Sequence, residues 1–324
     1  MKRSVFYLSL AVIFAAFAAL ICAPDKALDA ARRGLSVCAA TIIPSLLPFL
    51  TLSALLNALG LPHLLSRTVG PLMRRLFGVD GAVAAPLLLG LTGGYPVGAV
   101  SMAELVRRGA LTDAEGSRLL PFCNNTGPAF IIGAAGSGIF GSGRVGLLLY
   151  ASHIGAAFVI GILCAARRGA PAGAASGNAE PAARSLAAAL PESMAHAVRT
   201  VLNICGYVVF FSVIMGLLDA LGLVSGLAGR IAALTGAELH FVRAALTGII
   251  ELGGGISAMS GLHVRPCNLA LASFLLGFGG LSVHCQTLAA VAGTEIKTAR
   301  NFVGQLLHGV LSALFTYVLS ALLF

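Results

Sequence analysis

The stretch LLPFCNNTGPAFIIG, residues 119–133, interrupts a long apolar run with two prolines and a cluster of polar side chains. Pro121 and Pro128 lack a backbone donor and disrupt helical hydrogen bonding, so no regular helix is predicted between Cys123 and Gly127. In hydrocarbon, irregular backbone persists only where it is buried in protein or lines a wet cavity. The stretch therefore predicts a functional interruption inside a membrane-spanning element.

The composition places the whole chain in a membrane. Of its 324 residues 58% are hydrophobic and 10% are charged, whereas a soluble domain carries about 25% charged residues. Runs of about 20 apolar residues suffice to cross the hydrocarbon core, and such runs lie at 36–59, 82–106, 119–140, 145–166, 198–222, 241–262, 268–292 and 301–324. The predicted fold class is all-α, a polytopic helical membrane protein in the lipid bilayer.

Several other classes of protein are not predicted. The net charge of +9 comes from Lys and Arg dispersed through the loops, as in membrane proteins, so no nucleic-acid partner is expected. The seven cysteines form no CxxC pair and no HExxH motif is present, so neither a metal nor a cofactor is predicted. There is no GxSxG motif and no acidic pair within a span, so the chain is not expected to be an enzyme.

The chain is predicted to contain two repeats joined by a linker. Residues 1–34 are expected to form an anchor helix and a loop rather than a cleaved signal peptide, because the apolar run is long. Residues 167–197 are rich in Ala, Gly and Pro, which is typical of a flexible extramembrane linker. This linker separates a first repeat, 35–166, from a second repeat, 198–324.

Four ordered matches support the duplication, although Ala/Gly/Leu-rich helices also align by chance. Three of the matches are LNALGL (56–61) with LLDALGL (217–223), GLTGGYPVGAVSMAEL (90–105) with ELGGGISAMSGL (251–262), and LLPFCNNT (119–126) with LLGFGGLS (275–282). The fourth match is His153 with His308, which fall at corresponding places in the last apolar run of each half. Making 119–140 and 268–292 re-entrant places more Lys and Arg inside than outside. That arrangement predicts two inverted repeats, with hairpin tips near Cys123–Gly127 and Gly279–Ser282 meeting at mid-membrane.

The candidate substrate site lies at these breaks. Glycines and a Tyr-Pro pair break a second helix and leave backbone N–H groups free for an anion, while amides and hydroxyls supply hydrogen bonds. The predicted substrate-binding residues are Gly93, Gly94, Tyr95, Pro96, Gly98, Asn124, Asn125, Thr126, Gly127, Gly280 and Ser282. The alternative interpretation is that Gly and Pro serve only helix packing.

Ionisable residues at membrane depth indicate ion coupling. The candidates are His284, just after the second interruption, and Glu104 and Glu251 near the ends of their runs. A snorkelling role for the two glutamates and a packed structural role for the histidines remain the alternatives.

GGYPVGA (93–99) followed by LPFCNNTGPAFIIG (120–133) resembles the YlbJ family of sporulation integral membrane proteins. The family carries duplicated nucleoside-recognition, or Gate, domains that are distantly similar to concentrative nucleoside transporters. The resemblance implies transport of a small organic anion, dipicolinic acid, towards the forespore across the outer forespore membrane. A nucleoside or other metabolite as substrate, a structural role in sporulation, and a homo-oligomeric state stay open.

Overall fold

The computed structural model describes residues 3–60, 64, 67–79, 81–166 and 185–323, and the regular elements within those ranges are all helical. This confirms the predicted fold class. The first part of the chain forms α1 (Arg3–Cys22), α2 (Pro24–Val37), α3 (Ile43–Ala58), α4 (Gly70–Phe77), α5 (Ala84–Gly93), α6 (Val97–Arg107), α7 (Asp113–Cys123) and α8 (Gly143–Ala166). Wider, π-helical turns connect α2 to α3 at Cys38–Ile42 and form a π-segment, Ala129–Ile139, between α7 and α8.

The second part forms α9 (Leu186–Ala220), α10 (Leu223–Thr235), α11 (Leu239–Ile250), α12 (Leu252–Ser257), α13 (Pro266–Phe278), α14 (Gly280–Ala290) and α15 (Thr298–Leu323). Two predicted irregular segments are helical instead. Residues 24–34, expected as a loop, belong to α2, and residues 186–197, expected as linker, belong to α9. The rest of the predicted linker, residues 167–184, lies outside the described residues, and the division into repeats stays a prediction.

Several of these helices suit a lipid environment. Within the described residues, four stretches are long and apolar enough to cross a membrane, namely Gly143–Cys164, Leu186–Ala220, Pro266–Ala290 and Thr298–Leu323. Two pairs bent by 100°, Leu10–Cys22 with Pro24–Ala40 and Gly70–Phe77 with Gly81–Gly93, raise the number to six if each pair is one span. Large apolar side chains on α1, α9 and α15 are exposed, which is the surface that lipid covers.

Two helical groups surround the interrupted elements. Helices α2, α3 and α9 pack together on one side, and α8, α13 and α15 pack together on the other. The interrupted elements contribute to the buried cores of both groups. The breaks are therefore held inside protein, as irregular backbone at membrane depth requires.

The helices that fold back on themselves are not the predicted ones. Helices α5 and α6 pack against each other as a hairpin, and so do α11 and α12. By contrast, α7 barely touches the π-segment, and α13 barely touches α14, with which it forms the single span Pro266–Ala290. Within 119–140 and within 268–292 the two arms therefore do not pack against each other, and the neighbouring segments form the hairpins instead.

The turn between α6 and α7 is hydrogen-bonded to the loop between α14 and α15. The Arg107 guanidinium donates to the carbonyl oxygens of Ala290 (3.1 Å) and Ala292 (2.9 Å). The Asp113 carboxylate accepts the N–H of Glu295 at 2.7 Å. The stretch Pro266–Ala290 is long and apolar enough to cross a membrane as one span. If it does so, the turn before α13 lies on the opposite side of the membrane from this hydrogen-bonded turn and loop.

The inverted relation of the two halves stays a prediction, and it can be tested by finding which side of the membrane each of these loops faces. We expect cysteines at the exposed positions Ala110→Cys and Ala292→Cys to be labelled from one side, and Val264→Cys from the other. The measurement is labelling by an impermeant thiol reagent in sealed vesicles, with the exposed Cys22 and Cys267 replaced by serine. Labelling of positions 110 and 264 from the same side would contradict inversion.

Candidate functional site

The four interruptions of the helices meet inside the protein. They are residues 94–96 between α5 and α6, 124–128 between α7 and the π-segment, Glu251 between α11 and α12, and Gly279 between α13 and α14. The Thr126 hydroxyl donates to the carbonyl oxygen of Leu276 at 2.6 Å, which joins the second interruption to the fourth. The breaks predicted to approach one another do so, although the arms on either side of each break do not pack as a hairpin.

Glycines allow the first hairpin to close on the second interruption. Gly90 lies on α5 and Gly98 on α6, and a Cβ atom at either position would overlap the carbonyl oxygen of Cys123. Gly94 adopts a left-handed φ of +81°, and a Cβ there would lie 2.7 Å from the backbone nitrogen of Gly127. Only glycine permits this approach of backbone to backbone. The hairpin glycines thus position the second interruption.

The third interruption carries a buried carboxylate. Glu251 is 5% exposed, and its side chain accepts the N–H groups of Gly253 (2.8 Å) and Gly254 at the start of α12. At this interruption the chain's own carboxylate occupies the N–H groups at the helix start, whereas the anion site expected from the sequence lies at the other break, between Gly93 and Gly98.

A cavity of about 770 Å³, its open mouth included, lies between the interruptions and the α2, α3 and α9 group. One wall is apolar and comes from Val37, Ile42, Leu46, Ile204 and Val208. The other wall comes from the interruptions and neighbouring residues: Thr92, Gly93, Gly94, Tyr95, Thr126, Gly127, Ala129, Phe130, Glu251, Leu252, Gly253, Ser282, Val283 and Gln286. Among these described lining residues, Glu251 is the one with a formal charge, and none is basic. An apolar pocket with a few convergent polar groups is typical of a small-molecule site.

Two of the lining side chains have unused hydrogen-bonding capacity. Ser282 is 1% exposed and Gln286 is 6% exposed, and within the described part of the chain neither side chain makes a hydrogen bond. They lie one helical turn apart on α14, so both present polar atoms to the same part of the cavity. Both residues line the cavity, so their polar groups are available to a bound solute.

Gln305 on α15 organises the polar groups behind this wall. Its amide nitrogen donates to the carbonyl oxygen of Asn124 at 2.5 Å, and its Oε1 accepts the Tyr95 hydroxyl at 2.9 Å. The Asn124 side chain donates in turn to the Thr287 hydroxyl at 3.0 Å. One fully buried glutamine therefore ties the first interruption to the second, and Asn124 ties the second to α14.

The structure divides the predicted substrate-binding residues into two groups. The residues that line the cavity are Gly93, Gly94, Tyr95, Thr126, Gly127 and Ser282. The residues that lie outside the lining are Pro96, Gly98, Asn124, Asn125 and Gly280. The two asparagines are fully buried, and the Asn125 amide donates to the carbonyl oxygen of Phe122 at 3.0 Å. Their side chains support the interruption, and their predicted contact with substrate stays a prediction.

The three ion-coupling candidates have different environments. Glu251 borders the cavity. His284 lies against two aromatic rings, with centroid distances of 5.0 Å to Phe278 and 4.8 Å to Phe302, and does not line the cavity. Glu104 is 46% exposed at its side chain and pairs with Arg108 at 2.7 Å.

Gln286 and Gln305 were not predicted from the sequence. Gln286 lies within α14 and Gln305 within α15, and both helices are unbroken at these positions. The substrate-binding residues predicted from the sequence all lie at or near a break. A polar stripe along α15 was the available signal, because Asn301, Gln305, His308, Ser312, Thr316 and Ser320 recur at helical spacing, and all are buried.

Broken helices that enclose an apolar cavity with a few polar groups, within a bundle of apolar helices, are typical of a membrane transporter-like protein. The fold is similar to that of CNTnw carrying two substitutions in an outward-facing state, with a TM-score of 0.53 and 13% identity over 99% of this chain and 85% of that chain. Residues 39–161 match the Gate family, described as nucleoside recognition. The chain is also 30% identical to the sporulation integral membrane protein YlbJ of Bacillus subtilis (strain 168), over 93% of this chain and 79% of that protein. The chain belongs to the family of this sporulation membrane protein, and none of the three descriptions names an enzyme.

Proposed function

We propose that the chain carries a small, uncharged, ring-bearing polar solute of the nucleoside class across the membrane through the cavity at the interruptions. The observation that carries the proposal is the charge of the cavity: its one charged lining residue, among those described, is the carboxylate of Glu251. A carboxylate accepts hydrogen bonds from hydroxyl groups such as those of a ribose. Tyr95 and Phe130 offer aromatic surface to a flat ring.

The polar partners of such a solute are neutral. Ser282 and Gln286 each offer both donors and acceptors, which suits the edge of a nucleobase. Their side chains make no other hydrogen bond within the described residues, so binding would satisfy them instead of competing with existing bonds. The description of the matched family as nucleoside recognition agrees with this substrate class.

The second candidate is an aromatic dianion such as dipicolinate, moved towards the forespore across the outer forespore membrane. The relative whose name contains the word sporulation favours it. The cavity supports it less well, because two carboxylates would enter a site with no basic lining residue among those described and would face the carboxylate of Glu251. Burying unpaired charge near like charge is unfavourable.

The substitution Glu251→Gln separates these candidates by the sign of its effect. For a neutral solute whose hydroxyl is accepted by the carboxylate, we expect affinity to fall about tenfold, because a charge-assisted hydrogen bond is roughly twice as strong as a neutral one. For a dianion, removing the like charge should raise affinity. Uridine, adenosine, dipicolinate and its monoamide would be titrated onto purified protein at one pH.

The matched control is Glu104→Gln, which removes an exposed carboxylate from a surface ion pair away from the cavity. Its affinities should equal those of the parent protein. Tighter binding of dipicolinate than of either nucleoside, strengthened further by Glu251→Gln, would replace the first candidate by the second.

A further inference from the structure

A pair of histidines lies directly behind the cavity. His153 on α8 and His308 on α15 are both fully buried, and their ring centroids are 4.3 Å apart with the planes inclined by 34°. They occupy matching places in the two sequence repeats, and the structure brings them into contact across the boundary between the two halves. Neither histidine lines the cavity, so neither is a proposed contact of the solute.

The hydrogen bonds of the pair define where the protons are. The backbone N–H of Thr126 donates to His153 Nε2 at 3.1 Å, so that nitrogen carries no proton. His308 Nε2 lies 3.1 Å from the backbone carbonyl oxygen of His153, which can only accept, so His308 Nε2 donates. The Nδ1 atoms of both rings are buried without a hydrogen-bond partner. These partners assign the proton of neutral His153 to Nδ1.

A further proton on His153 can bind only at Nε2. That atom has a single lone pair in the ring plane, and the N–H of Thr126 already uses it. Protonation of His153 and its hydrogen bond to Thr126 therefore exclude each other. Thr126 lines the cavity and its hydroxyl joins the second interruption to α13, so loss of the bond would release backbone that forms the wall of the site.

We propose that His153 is a proton-binding and positioning residue that couples the protonation state of the protein to the shape of the substrate cavity. The proposal rests on the proposed function, since it assumes that a solute binds in the cavity. The described conformation, with the Thr126 bond formed, is the one in which His153 is neutral. Proton binding and solute binding then oppose each other, and by linkage each weakens the other.

No other ionisable side chain interacts with either imidazole within the described residues. Among the described residues, the helices packed against α8 and α15 carry four titratable side chains besides their charged residues, namely Cys123 on α7, Cys267 on α13, and His284 and Cys285 on α14. The described charged residues of α4 and α7 do not contact either histidine ring. Tyr95 reaches the neighbourhood through Gln305, which precedes His308 by one turn. A pH effect on the cavity that disappears with His153 is therefore attributable to this pair.

The test compares the parent protein with His153→Gln, whose amide oxygen can accept the Thr126 N–H but cannot take up a proton at neutral or mildly acidic pH. Uridine affinity would be measured on purified protein from pH 5 to 8. We expect the affinity of the parent protein to fall towards acid, by up to about tenfold per pH unit once the pH is below the pKa of His153 in the ligand-free protein. The affinity of His153→Gln should stay constant over this pH range. The control His284→Gln, a histidine away from the cavity, should follow the parent.

Parallel pH profiles of the parent and His153→Gln would overturn the proposal, whether or not the variant binds more weakly. A ligand-free comparison separates this failure from failure of the proposed function. We expect the unfolding temperature of the parent to drop relative to that of His153→Gln, or of His153→Asn if the glutamine variant does not fold, as the pH falls from 8 to 5. If no solute binds at any pH, the proposed function fails, and parallel unfolding curves would separately contradict the neutral, Thr126-bonded state of His153.

Discussion

Gly98→Ala, on one arm of the α5–α6 hairpin, is expected to lower the stability of the protein strongly. The new Cβ would overlap the carbonyl oxygen of Cys123, and this atom belongs to backbone that cannot rotate away as a side chain would. Overpacking of a buried contact costs about 1–3 kcal/mol and occasionally more. The expected result is a clearly lower unfolding temperature in detergent, together with loss of solute binding, because the second interruption is displaced.

Gly206→Ala is the matched control for this prediction. Gly206 lies within helix α9, and a Cβ added there meets no heavy atom within 4 Å. Alanine is favoured over glycine inside a helix by roughly 0.5–1 kcal/mol, so this variant should be as stable as the parent or slightly more stable. Equal unfolding temperatures of the two alanine variants would show that the hairpin does not close on Cys123 as described.

Gln305→Leu is expected to have the second large effect. Leucine fills nearly the same volume but can bond neither the carbonyl oxygen of Asn124 nor the hydroxyl of Tyr95. Leaving a buried polar group unsatisfied costs about 1–3 kcal/mol. Here the Asn124 carbonyl oxygen loses its partner, while the Tyr95 hydroxyl keeps only its longer bond to the carbonyl oxygen of Gly277, at 3.2 Å. We expect a lower unfolding temperature and weaker solute binding, since Tyr95 borders the cavity.

Ser320→Ala provides the control on the same helix. Ser320 is fully buried on α15 like Gln305, but its hydroxyl bonds only the nearby carbonyl oxygen of Tyr317. Its removal should change stability by about 1 kcal/mol or less and leave binding unchanged. If Gln305→Leu proved as mild as Ser320→Ala, the connection between the first two interruptions would not depend on this glutamine.

The location of the interruptions was predictable because it is encoded locally. Proline and glycine in an apolar run break a helix wherever the helix lies, so residues 94–96 and 124–128 follow from the sequence alone. Proline and glycine do not reveal at which breaks the two flanking helices fold back on each other as a hairpin. A break that reverses the chain and a break within one span contain similar residues, and the difference depends on packing such as that of Gly90 and Gly98 around Cys123.

The electrostatics of the site depended on contacts between distant segments. The carboxylate of Glu251 bonds the N–H groups of Gly253 and Gly254 at the start of α12, and nothing in the sequence indicated this local arrangement. Likewise, the role of Gln305 depends on Asn124 and Tyr95, which are far from it in the chain. Long-range contacts of this kind leave no pattern within a single segment.

Uptake into proteoliposomes tests most directly whether the cavity carries a neutral nucleoside-like solute. Purified parent protein and the variant Gln286→Leu, which removes an amide from the cavity wall, would be reconstituted and supplied with labelled uridine, adenosine or dipicolinate. The account predicts uptake of a nucleoside by the parent protein, little uptake of dipicolinate, and strongly reduced nucleoside uptake by Gln286→Leu. Uptake of dipicolinate in preference to both nucleosides would contradict it.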